Sequence, residues 1–404
     1  MMSKKSPQLR FEGFTDDWEE RKSKDIFKPK IRKGEPDLPV LSVTQTSGVV
    51  YRDEVGIDIK YDISTLKNYK VIEPNDFVIS LRSFQGGFEL SDKLGITSPA
   101  YTIFVPKSPE EQNNLFWRIQ FKRFQFIQSL KTVTFGIRDG KSISFNEFGD
   151  LKIKFPSNIL EQQKIGAFFK ELDNTIALHQ RKLDLLKEQK KGYLQKMFPK
   201  NSEKVPELRF EGFADDWEER KLKDVTERVR SNDGRMDLPT LTMSASSGWL
   251  DQKDRFSGDI SGKEKKNYTL LKKGELSYNH GNSKLAKYGV VFSLTNYEEA
   301  LVPRVYHSFK ALENTSADFI EYMFSTKLPD RELGKLISSG ARMDGLLNIN
   351  YDDFMNIHIS IPNYEEQILM SAFFRKLDEN IALHQRKLDL LKEQKKGFLQ
   401  KMFV

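Results

Sequence analysis

The sequence predicts an α+β protein in which two mixed α/β domains are separated by two long antiparallel coiled-coil helices, with an internal pseudo-two-fold repeat. Two repeated motifs carry this prediction. The 27 residues from Leu172 return from Leu377 with only three substitutions. The motif LRFEGFTDDWEERK at 9–22 returns at 208–221 with one change, Thr15 to Ala214. A duplicated unit is expected to close with two-fold pseudosymmetry, in which the same surface meets itself.

Both copies of the longer repeat have the pattern of a coiled-coil helix. Apolar residues recur at alternating steps of four and three, and a lone helix would leave this stripe in water. The two copies are therefore expected to pair with each other, antiparallel about a perpendicular two-fold axis. At ~1.5 Å per residue, the helix from Ile165 to Met197 would be about 50 Å long. The predicted seam residues are Ile165, Phe169, Leu172, Ile176, His179, Leu183 and Leu186 in the first copy, and Met370, Phe374, Leu377, Ile381, His384, Leu388 and Leu391 in the second.

A variable segment precedes each helical repeat, and the two segments diverge almost completely. Strand-like runs are predicted at 40–43, 77–81, 101–105, 240–243, 275–278 and 302–306, with amphipathic helices near 113–130 and 317–336. The predicted divisions are an N-terminal frame segment at 1–14, a first domain at 15–157, a central helical region with its connector at 158–213, a second domain at 214–363 and a C-terminal helix at 364–404. The chain thus combines a repeated frame (9–22, 208–221 and the two helical repeats) with two different variable segments.

The composition is that of a soluble protein and permits nucleic-acid binding. The 404 residues suffice for two or three domains, and 38% are hydrophobic and 30% charged. No apolar run approaches the ~20 residues of a membrane span, and the N-terminus lacks the apolar core of a signal peptide, so a cytoplasmic location without a membrane partner is expected. The formal net charge of +7 permits contact with DNA without requiring it. The absence of cysteine excludes disulfides, thiolate nucleophiles and cysteine zinc sites.

The sequence contains no recognisable catalytic constellation. The glycine-rich phosphate loops and the Asn-Pro-Pro-aromatic motif of amino-methyltransferases are missing. The run 329–335 superficially resembles a nuclease metal site, but its acidic residues are crowded onto one helical turn and its Glu-to-Lys spacing is wrong. No catalytic residue and no metal ligand are therefore predicted.

The combination of motifs resembles the specificity (S) subunit of type I restriction–modification enzymes. The resemblance rests on LRFEGF with DDWEERK, on the near-identical helices ending LLKEQKKGxLQKMF, and on the two divergent domains, and it covers the whole chain. The family often has Pro where Glu12 and Glu211 stand here, a departure confined to a connector.

The resemblance implies a non-catalytic subunit that binds double-stranded DNA. Each of its target-recognition domains would read one half of a bipartite site, and the helices would set the spacer and dock two modification (methyltransferase) subunits. Restriction subunits, which translocate and cleave DNA, would be further partners. S-adenosylmethionine, ATP and Mg are expected on those partner subunits and no cofactor on this chain.

Candidate DNA-binding residues are polar or basic side chains in loops of the two variable segments, where they could reach base edges, and nearby basic clusters suited to phosphates. In the first domain they are Thr44, Gln45, Thr46, Arg82, Ser83, Gln85, Arg138 and Lys141, with the cluster Lys28, Lys30, Arg32 and Lys33. In the second domain they are Ser244, Ser246, Asn279, His280, Asn282, Ser283, Lys284 and Arg342, with the cluster Arg228, Arg230 and Arg235.

Two other classes of function stay open at the level of sequence. A two-domain protein-binding scaffold without DNA contact would have the same repeats and rod, although it would not need loop clusters of Arg, Asn, Ser and Gln. Binding to mixed DNA fragments in a gel shift separates these two classes. A self-contained methyltransferase or nuclease is disfavoured by the missing motifs, and methyl transfer by the purified chain would revive it.

Overall fold

The computed structural model of the chain describes residues 6–44, 47–55, 63–81, 84, 86–133, 143–200, 203–256, 262–281, 283–337 and 346–404. The chain divides into two units, of which the first combines Met1–Gln180 with Arg386–Val404 and the second is Arg181–Gln385. Each unit contains one α/β domain and a part of both long helices. The domain boundaries predicted from sequence stay predictions.

The described residues of the first unit form ten short strands and several helices. The strands are β1 (Glu19–Lys22), β2 (Phe27–Pro29), β3 (Leu41–Thr44), β4 (Gly48–Tyr51), β5 (Lys70–Ile72), β6 (Phe77–Ile79), β7 (Phe88–Leu90), β8 (Gly95–Thr97), β9 (Thr102–Pro106) and β10 (Lys152–Phe155). The helices are α1 (Ser23–Ile26), α2 (Asn114–Lys122), α3 (Phe124–Ser129), α4 (Phe145–Asp150) and the first part of the long helix α5 (Ile159–Lys196).

The first domain is built on an antiparallel sheet in the order β2-β9-β6-β7. Two-stranded ribbons β1-β10, β3-β4 and β5-β8 accompany it. Aromatic side chains fill the core beneath the sheet: Phe27, Phe77, Phe104 and Trp117 are fully buried, and the ring centroids of Phe27 and Trp117 lie 5.0 Å apart. Each such ring removes a large apolar area from water, which holds α2 against the sheet.

The second unit repeats this arrangement. Its strands are β11 (Glu218–Lys221), β12 (Thr226–Arg228), β13 (Leu241–Ser244), β14 (Gly248–Asp251), β15 (Thr269–Lys272), β16 (Leu276–Asn279), β17 (Val290–Ser293), β18 (Glu299–Val302), β19 (His307–Ala311) and β20 (His358–Ile361). Its helices are α6 (Leu222–Val225), α7 (Gln252–Phe256), α8 (Ala317–Ser325), α9 (Asp330–Leu336), α10 (Tyr351–Met355) and the first part of the long helix α11 (Tyr364–Lys401).

The sheet of the second domain, β12-β19-β16-β17, has the same strand order and register as that of the first. Equivalent backbone hydrogen bonds follow β2 and β12: Lys30 N–H donates to the carbonyl of Ile103, and Val229 N–H donates to that of Ser308, both at 2.9 Å. The two domains therefore share one backbone framework despite their divergent sequences.

Each amphipathic helix predicted from sequence is interrupted. Arg123, between α2 and α3, has an extended backbone with φ −68° and ψ 141°. Between α8 and α9, Lys327 has a positive φ of 68°, and Pro329 has no N–H with which to continue the first helix. The predicted spans are correct in position, and each contains two helices instead of one.

Within the first unit the long helices run antiparallel. The rings of Phe168 and Phe398 meet with centroids 5.0 Å apart, and Asp173 pairs with Lys395 at 2.5 Å. From the first contact to the second, the residue number rises by five along α5 and falls by three along α11, so the two helices run in opposite directions. The second unit shows the same direction, because its own residues pair in the same way.

In the second unit, Lys190 of α5 pairs with Asp378 of α11 at 2.6 Å, and the rings of Tyr193 and Phe373 meet at 5.0 Å. All predicted seam residues in both helices are buried or half-buried. These contacts confirm the predicted fold class of two mixed α/β domains with paired antiparallel helices and an internal repeat.

A buried ion pair ties the repeated frame segment to the start of each long helix. In the first unit, Arg10 Nε and Nη2 donate to the two carboxylate oxygens of Glu161, each at 2.7 Å. Arg209 and Glu366 make the same pair in the second unit at 2.8 and 2.7 Å. Both carboxylates are completely or almost completely buried. A buried carboxylate without its cation is strongly unfavourable, so each arginine is required where it stands.

Replacing Arg10 tests this pair. Arg10→Ala is expected to lower the free energy of unfolding by about 3 kcal/mol, because it leaves the Glu161 carboxylate buried without a cation. Arg21→Ala removes an exposed partner of Glu19 and should cost less than about 1 kcal/mol. Urea-induced unfolding of the full chain measures both, and equal effects would contradict the importance of the buried pair.

Candidate nucleic-acid interface

Two of the four basic residues predicted to contact phosphates in the first domain form ion pairs with carboxylates of the same domain. The Lys30 ammonium lies 2.6 Å from Glu73 and 2.7 Å from Asp76. Arg32 pairs with Glu73 at 2.6 Å and with Glu35 at 2.9 Å. Carboxylates of the same domain thus neutralise Lys30 and Arg32, and the proposed contact of these two residues with phosphates stays a prediction.

The pKa values in this cluster follow from the pairing. Burial opposes the charged form of Lys30, but hydrogen bonds with Asp76 and Glu73 raise its pKa overall. The hydrogen bond from Lys30 lowers the pKa of Glu73, whereas burial raises that of Asp76. The ion pairs of Lys30 with Glu73 and Asp76 thus link the end of β2 to the turn before β6.

Lys28 and Lys33 differ from these two. Both side chains are exposed, and neither has an ion-pair partner within the described ranges. The backbone of Lys33 bridges to Lys70, whose pKa is lowered by burial and by the charge of Lys33. Lys28 and Lys33 therefore stay candidates for contact with DNA phosphates.

Polar turn residues predicted to read bases lie at the tips of two equivalent hairpins, β3-β4 and β13-β14. Thr44 Oγ1 accepts a hydrogen bond from Ser47 N–H at 3.0 Å. Ser244 Oγ lies 3.1 Å from Ser246 Oγ, and Ser246 is exposed. These hydroxyls stabilise their turns and stay candidates for contacts with base edges. The predicted residues Gln45, Thr46, Arg82, Ser83, Gln85, Arg138, Lys141, Asn282 and Arg342 lie outside the described residues.

The loop after β16 contains further candidates with different roles. Asn279 Oδ1 accepts from Gly281 N–H at 3.1 Å and so shapes the start of the loop. Ser283 and Lys284 are exposed, and Ser283 Oγ accepts from Ala286 N–H at 3.1 Å. The exposed side chains are accessible to a ligand, whereas Asn279 is half-buried and serves the turn.

His280, in the same loop, is a structural residue. Only 6% of it is exposed. Its Nδ1 lies 2.7 Å from the Leu347 carbonyl and its Nε2 lies 3.1 Å from the Val305 carbonyl. Its ring stacks on His307 with centroids 5.0 Å apart. The prediction of His280 as a base contact is corrected, because both ring nitrogens face backbone acceptors and the ring is buried.

The arginine cluster of the second domain is composed differently from the prediction. Arg235 pairs with Asp233 and Glu299, each at 2.7 Å, so carboxylates of the domain neutralise it, and its proposed role as a phosphate contact stays a prediction. Arg228 and Arg230 are exposed and line a cavity of about 300 Å³. The cavity belongs entirely to the second domain.

A third arginine, Arg304, also lines this cavity and was not predicted. The sequence pattern indicates a strand at 302–306, in which Arg304 would be one more strand residue. Instead β18 ends at Val302, and a turn closed by a 3.0 Å hydrogen bond from Tyr306 N–H to the Pro303 carbonyl exposes Arg304. Pro303 is the signal that could have located this turn.

The first domain carries uncharged residues at the equivalent positions. The shared register of β2 and β12 aligns the segments around them, and the turns after β8 and β18 close with the same hydrogen bond. The equivalent pairs are Arg228 and Pro29, Arg230 and Ile31, Arg304 and Pro99, and Tyr351 and Phe145. The basic clusters of the two domains, predicted as counterparts, therefore occupy different positions of the shared backbone framework.

A family model for the type I restriction modification DNA specificity domain matches this chain twice, at residues 15–188 and 214–393. The chain belongs to this family. A type I specificity subunit provides DNA sequence recognition to a restriction–modification system, so DNA and the other subunits of such a system are its partners in general terms.

Three solved structures of type I restriction–modification proteins are similar to this chain to different degrees. The S subunit from M. genitalium is 14% identical, with 99% of each chain covered and a TM-score of 0.59. The HsdS subunit from Thermoanaerobacter tengcongensis is 14% identical over 96% of each chain, with a TM-score of 0.43. A chain from a structure of type I system assembly and conformational transition is 14% identical over 96% of this chain and 97% of that one, with a TM-score of 0.46. The first of these similarities shows the common fold. Among curated protein sequences, none matches significantly.

Two general properties of this specificity subunit concern metals and membranes. Across the described ranges, no group of three or more His, Cys, Asp or Glu side chains is placed to hold a metal ion. No helix among the described residues is long and apolar enough to cross a membrane. The cytoplasmic location stays a prediction.

The half-buried His307 predicts a pH-dependent stability of the second domain. Burial lowers its pKa to about 4, and the charges of His280 and Arg228 act in the same direction against a hydrogen bond to the Ile349 carbonyl. The unfolded chain therefore binds more protons between about pH 6.5 and pH 4, and this contribution to stability is lost as the pH falls through that window.

The variant His307→Gln measures this effect. Between pH 7 and pH 4.5, it should lose about 2 kcal/mol less stability than the unchanged chain, because it has no imidazole to protonate. His358→Gln, at an exposed histidine, is the control. Chemical unfolding at the two pH values provides the comparison, and parallel losses in the unchanged chain and His307→Gln would refute the assignment.

Proposed function

We propose that each of the two domains reads one half of a bipartite site in double-stranded DNA. The observation that carries the proposal is the pair of sheets with identical strand order and register but different side chains at equivalent positions. Each base pair presents its own pattern of donors and acceptors in the major groove, so two different half-sites need two different sets of side chains. One backbone framework with two sets of side chains meets this requirement.

The available side chains suggest a division of roles. Some exposed basic residues have no ion-pair partner in the described ranges: Lys28 and Lys33 in the first domain and the arginines around the cavity in the second. They are suited to phosphates, which position a protein without specifying sequence. Thr44, Ser246 and Lys284, in turns, are suited to base edges. The predicted candidates outside the described residues belong to the same proposal.

The outer faces of the long helices are proposed to dock two modification subunits. In the second unit, Leu185 and Leu383 are 51% and 57% exposed. Starting from the contact of Lys190 with Asp378, five residues along each helix lead to these two leucines, so they lie at corresponding positions of the antiparallel pair. Exposed leucines in corresponding register provide an apolar surface that a partner helix could cover.

The first unit has an equivalent leucine pair. Leu178 and Leu390 are 65% and 49% exposed and lie five residues from the contact between Asp173 and Lys395. Because the same surface occurs once in each unit, one kind of partner could dock twice. This supports a stoichiometry of two modification subunits for each chain.

The spacer between the half-sites is proposed to depend on the long helices. Helix α5 extends without interruption from Ile159 to Lys196, and α11 from Tyr364 to Lys401. At ~1.5 Å per residue, a 38-residue helix is about 57 Å long. A helix of constant length with fixed pairing along its seam suits the role of a molecular spacer.

Methylation and cleavage are proposed to belong to partner subunits. The family membership and the missing phosphate-loop and methyltransferase motifs support a non-catalytic role for this chain. S-adenosylmethionine would then be bound by the modification subunits, and ATP and Mg by the restriction subunits. The purified chain should accordingly transfer no methyl group by itself.

Replacing one variable segment tests the reading of half-sites. Residues 23–143 can be replaced by the segment of a relative, because one junction follows the repeated EERK strand and the other precedes the N-cap Ser144. Methylome sequencing of a host that expresses the chimera with its partner subunits should show one altered half-site and an unchanged second half-site and gap. The parent chain, sequenced in the same host, is the control.

Two outcomes of this replacement would contradict the proposal. A change in both half-sites would show that the domains do not read DNA independently. An unchanged methylated sequence would show that the replaced segment does not read DNA, which is the result that a protein-binding scaffold predicts.

The leucine pairs predict a defined loss of modification subunits. The double variant Leu185→Glu/Leu383→Glu should bind one modification subunit where the unchanged chain binds two, because two carboxylates cannot be covered by an apolar surface without a large desolvation cost. Native mass spectrometry of the assembled complex counts the subunits. Leu285→Glu, at a leucine in the second domain that is 69% exposed, is the control. Retention of both subunits by the double variant would exclude this docking surface.

A further inference from the structure

The cavity of the second domain has a positively charged lining without a compensating carboxylate. Arg228, Arg230 and Arg304 contribute to its wall, and no Asp or Glu is among the described residues that line it. None of the three has an ion pair with another residue in the part of the chain that the structure describes. This distinguishes them from Arg235, which two carboxylates neutralise.

The three guanidinium groups repel one another. The charges of Arg304 and Arg228 lower the pKa of Arg230. Glu227, next to Arg228 in the chain, pairs instead with Lys310 at 3.1 Å. Like charges held close together cost free energy that a bound anion would recover. Among the described residues, the domain thus concentrates positive charge at this cavity, and the nearby carboxylates Asp352 and Glu227, whose charges act on Tyr351, neither line it nor pair with the three arginines.

Tyr351 provides an independent indication of a ligand. It lines the same cavity, and its hydroxyl is buried without a hydrogen-bond partner among the described residues. Burial raises the pKa of Tyr351 to about 12, so the hydroxyl keeps its proton and can donate it. The Arg228 guanidinium lies over the Tyr351 ring at 4.0 Å, which holds the two side chains together. A buried donor without an acceptor is uncommon and calls for an external one.

His280 and His307 also line the cavity, and His280 has no ring nitrogen free to donate to a ligand. Both ring nitrogens of His280 face backbone carbonyls. His307, whose pKa is lowered to about 4, is neutral at pH 7 and has its Nε2 2.9 Å from the Ile349 carbonyl. The charge offered to a ligand at neutral pH therefore comes from the three arginines.

We propose that this cavity holds one phosphate group of the DNA backbone beside the second half-site. A phosphate presents several acceptor oxygens, which suits both the fork of donors on each guanidinium and the single hydroxyl of Tyr351. This inference rests on the proposed function, because it takes a DNA phosphodiester as the source. Free inorganic phosphate has the same chemistry and is the alternative source.

The first domain has no counterpart of this site. Its equivalent residues Pro29, Ile31, Pro99 and Phe145 carry neither a charge nor a hydroxyl. The second domain therefore contributes a phosphate contact that the first does not make at this place. The salt dependence of DNA binding should reflect this difference.

Salt-dependent binding of the full chain to a mixed-sequence DNA duplex tests the site. The variant Arg230→Ala/Arg304→Ala should lower the slope of log K against log salt by about 0.9, the value for one lost phosphate contact. Tyr351→Phe should weaken binding several-fold at fixed salt without changing the slope, because it removes a donor and no charge. The control Lys223→Ala/Arg331→Ala removes two exposed charges of the second unit outside the cavity and should leave the slope unchanged. An equal fall in slope for this control would overturn the assignment to the cavity.

Titration with inorganic phosphate at constant ionic strength, followed by calorimetry, distinguishes the two sources. Saturable phosphate binding that the arginine variant loses, together with an unchanged DNA slope, would overturn DNA as the source. An unchanged slope without phosphate binding would overturn the site, while DNA binding by the unchanged chain would leave the proposed function standing. Failure of the unchanged chain to bind any duplex, alone or with modification subunits, would overturn the proposed function and the DNA source together.

Discussion

The buried carboxylate at the start of each long helix is the constraint on which the rest of the structure depends. Glu161 and Glu366 are removed from water and need a cation, which Arg10 and Arg209 supply through two hydrogen bonds each. The arginines belong to the repeated LRFEGF motif, so the ion pair fixes that motif against the helix. A charge pair of this kind specifies its partner strictly, because either member alone is costly to bury.

Further contacts of the same motif involve the end of the other long helix. In the first unit, Leu9 N–H donates to the carbonyl of Lys401 at 2.9 Å, and in the second, Leu208 N–H donates to that of Lys196 at 2.8 Å. Each unit therefore joins the motif, the beginning of one helix and the end of the other. These two contacts, which join three segments, are consistent with the nearly unchanged sequence of those segments.

Sequence reasoning succeeded where a regular period or an exact repeat determines structure. The heptad pattern identified the buried stripe of the helix, of which Ile165 and Phe169 also pack into the core of the first domain, and the duplication gave the antiparallel direction. It failed where the outcome depends on residues distant in the chain. The neutralisation of Lys30 depends on Glu73 and Asp76, about forty residues away, and the burial of His280 depends on carbonyls at 305 and 347. Arg304 was missed for a local reason, because a turn at Pro303 divides a run that has the composition of a strand.

An exchange of the two variable segments within this chain tests the central proposal, that one repeated backbone framework presents two independent reading surfaces. Residues 23–143 and 222–349 can be exchanged at junctions that the framework shares, after the two EERK strands and before the N-caps Ser144 and Asn350. With the predicted two-fold pseudosymmetry of the repeat, the proposed half-site readers act on opposite strands, and the exchanged chain would meet the same duplex from its other strand. Methylome sequencing with the partner subunits should therefore return the original methylated sequence with its original gap. A new sequence, an altered gap, or no methylation by a folded and assembled complex would contradict the account.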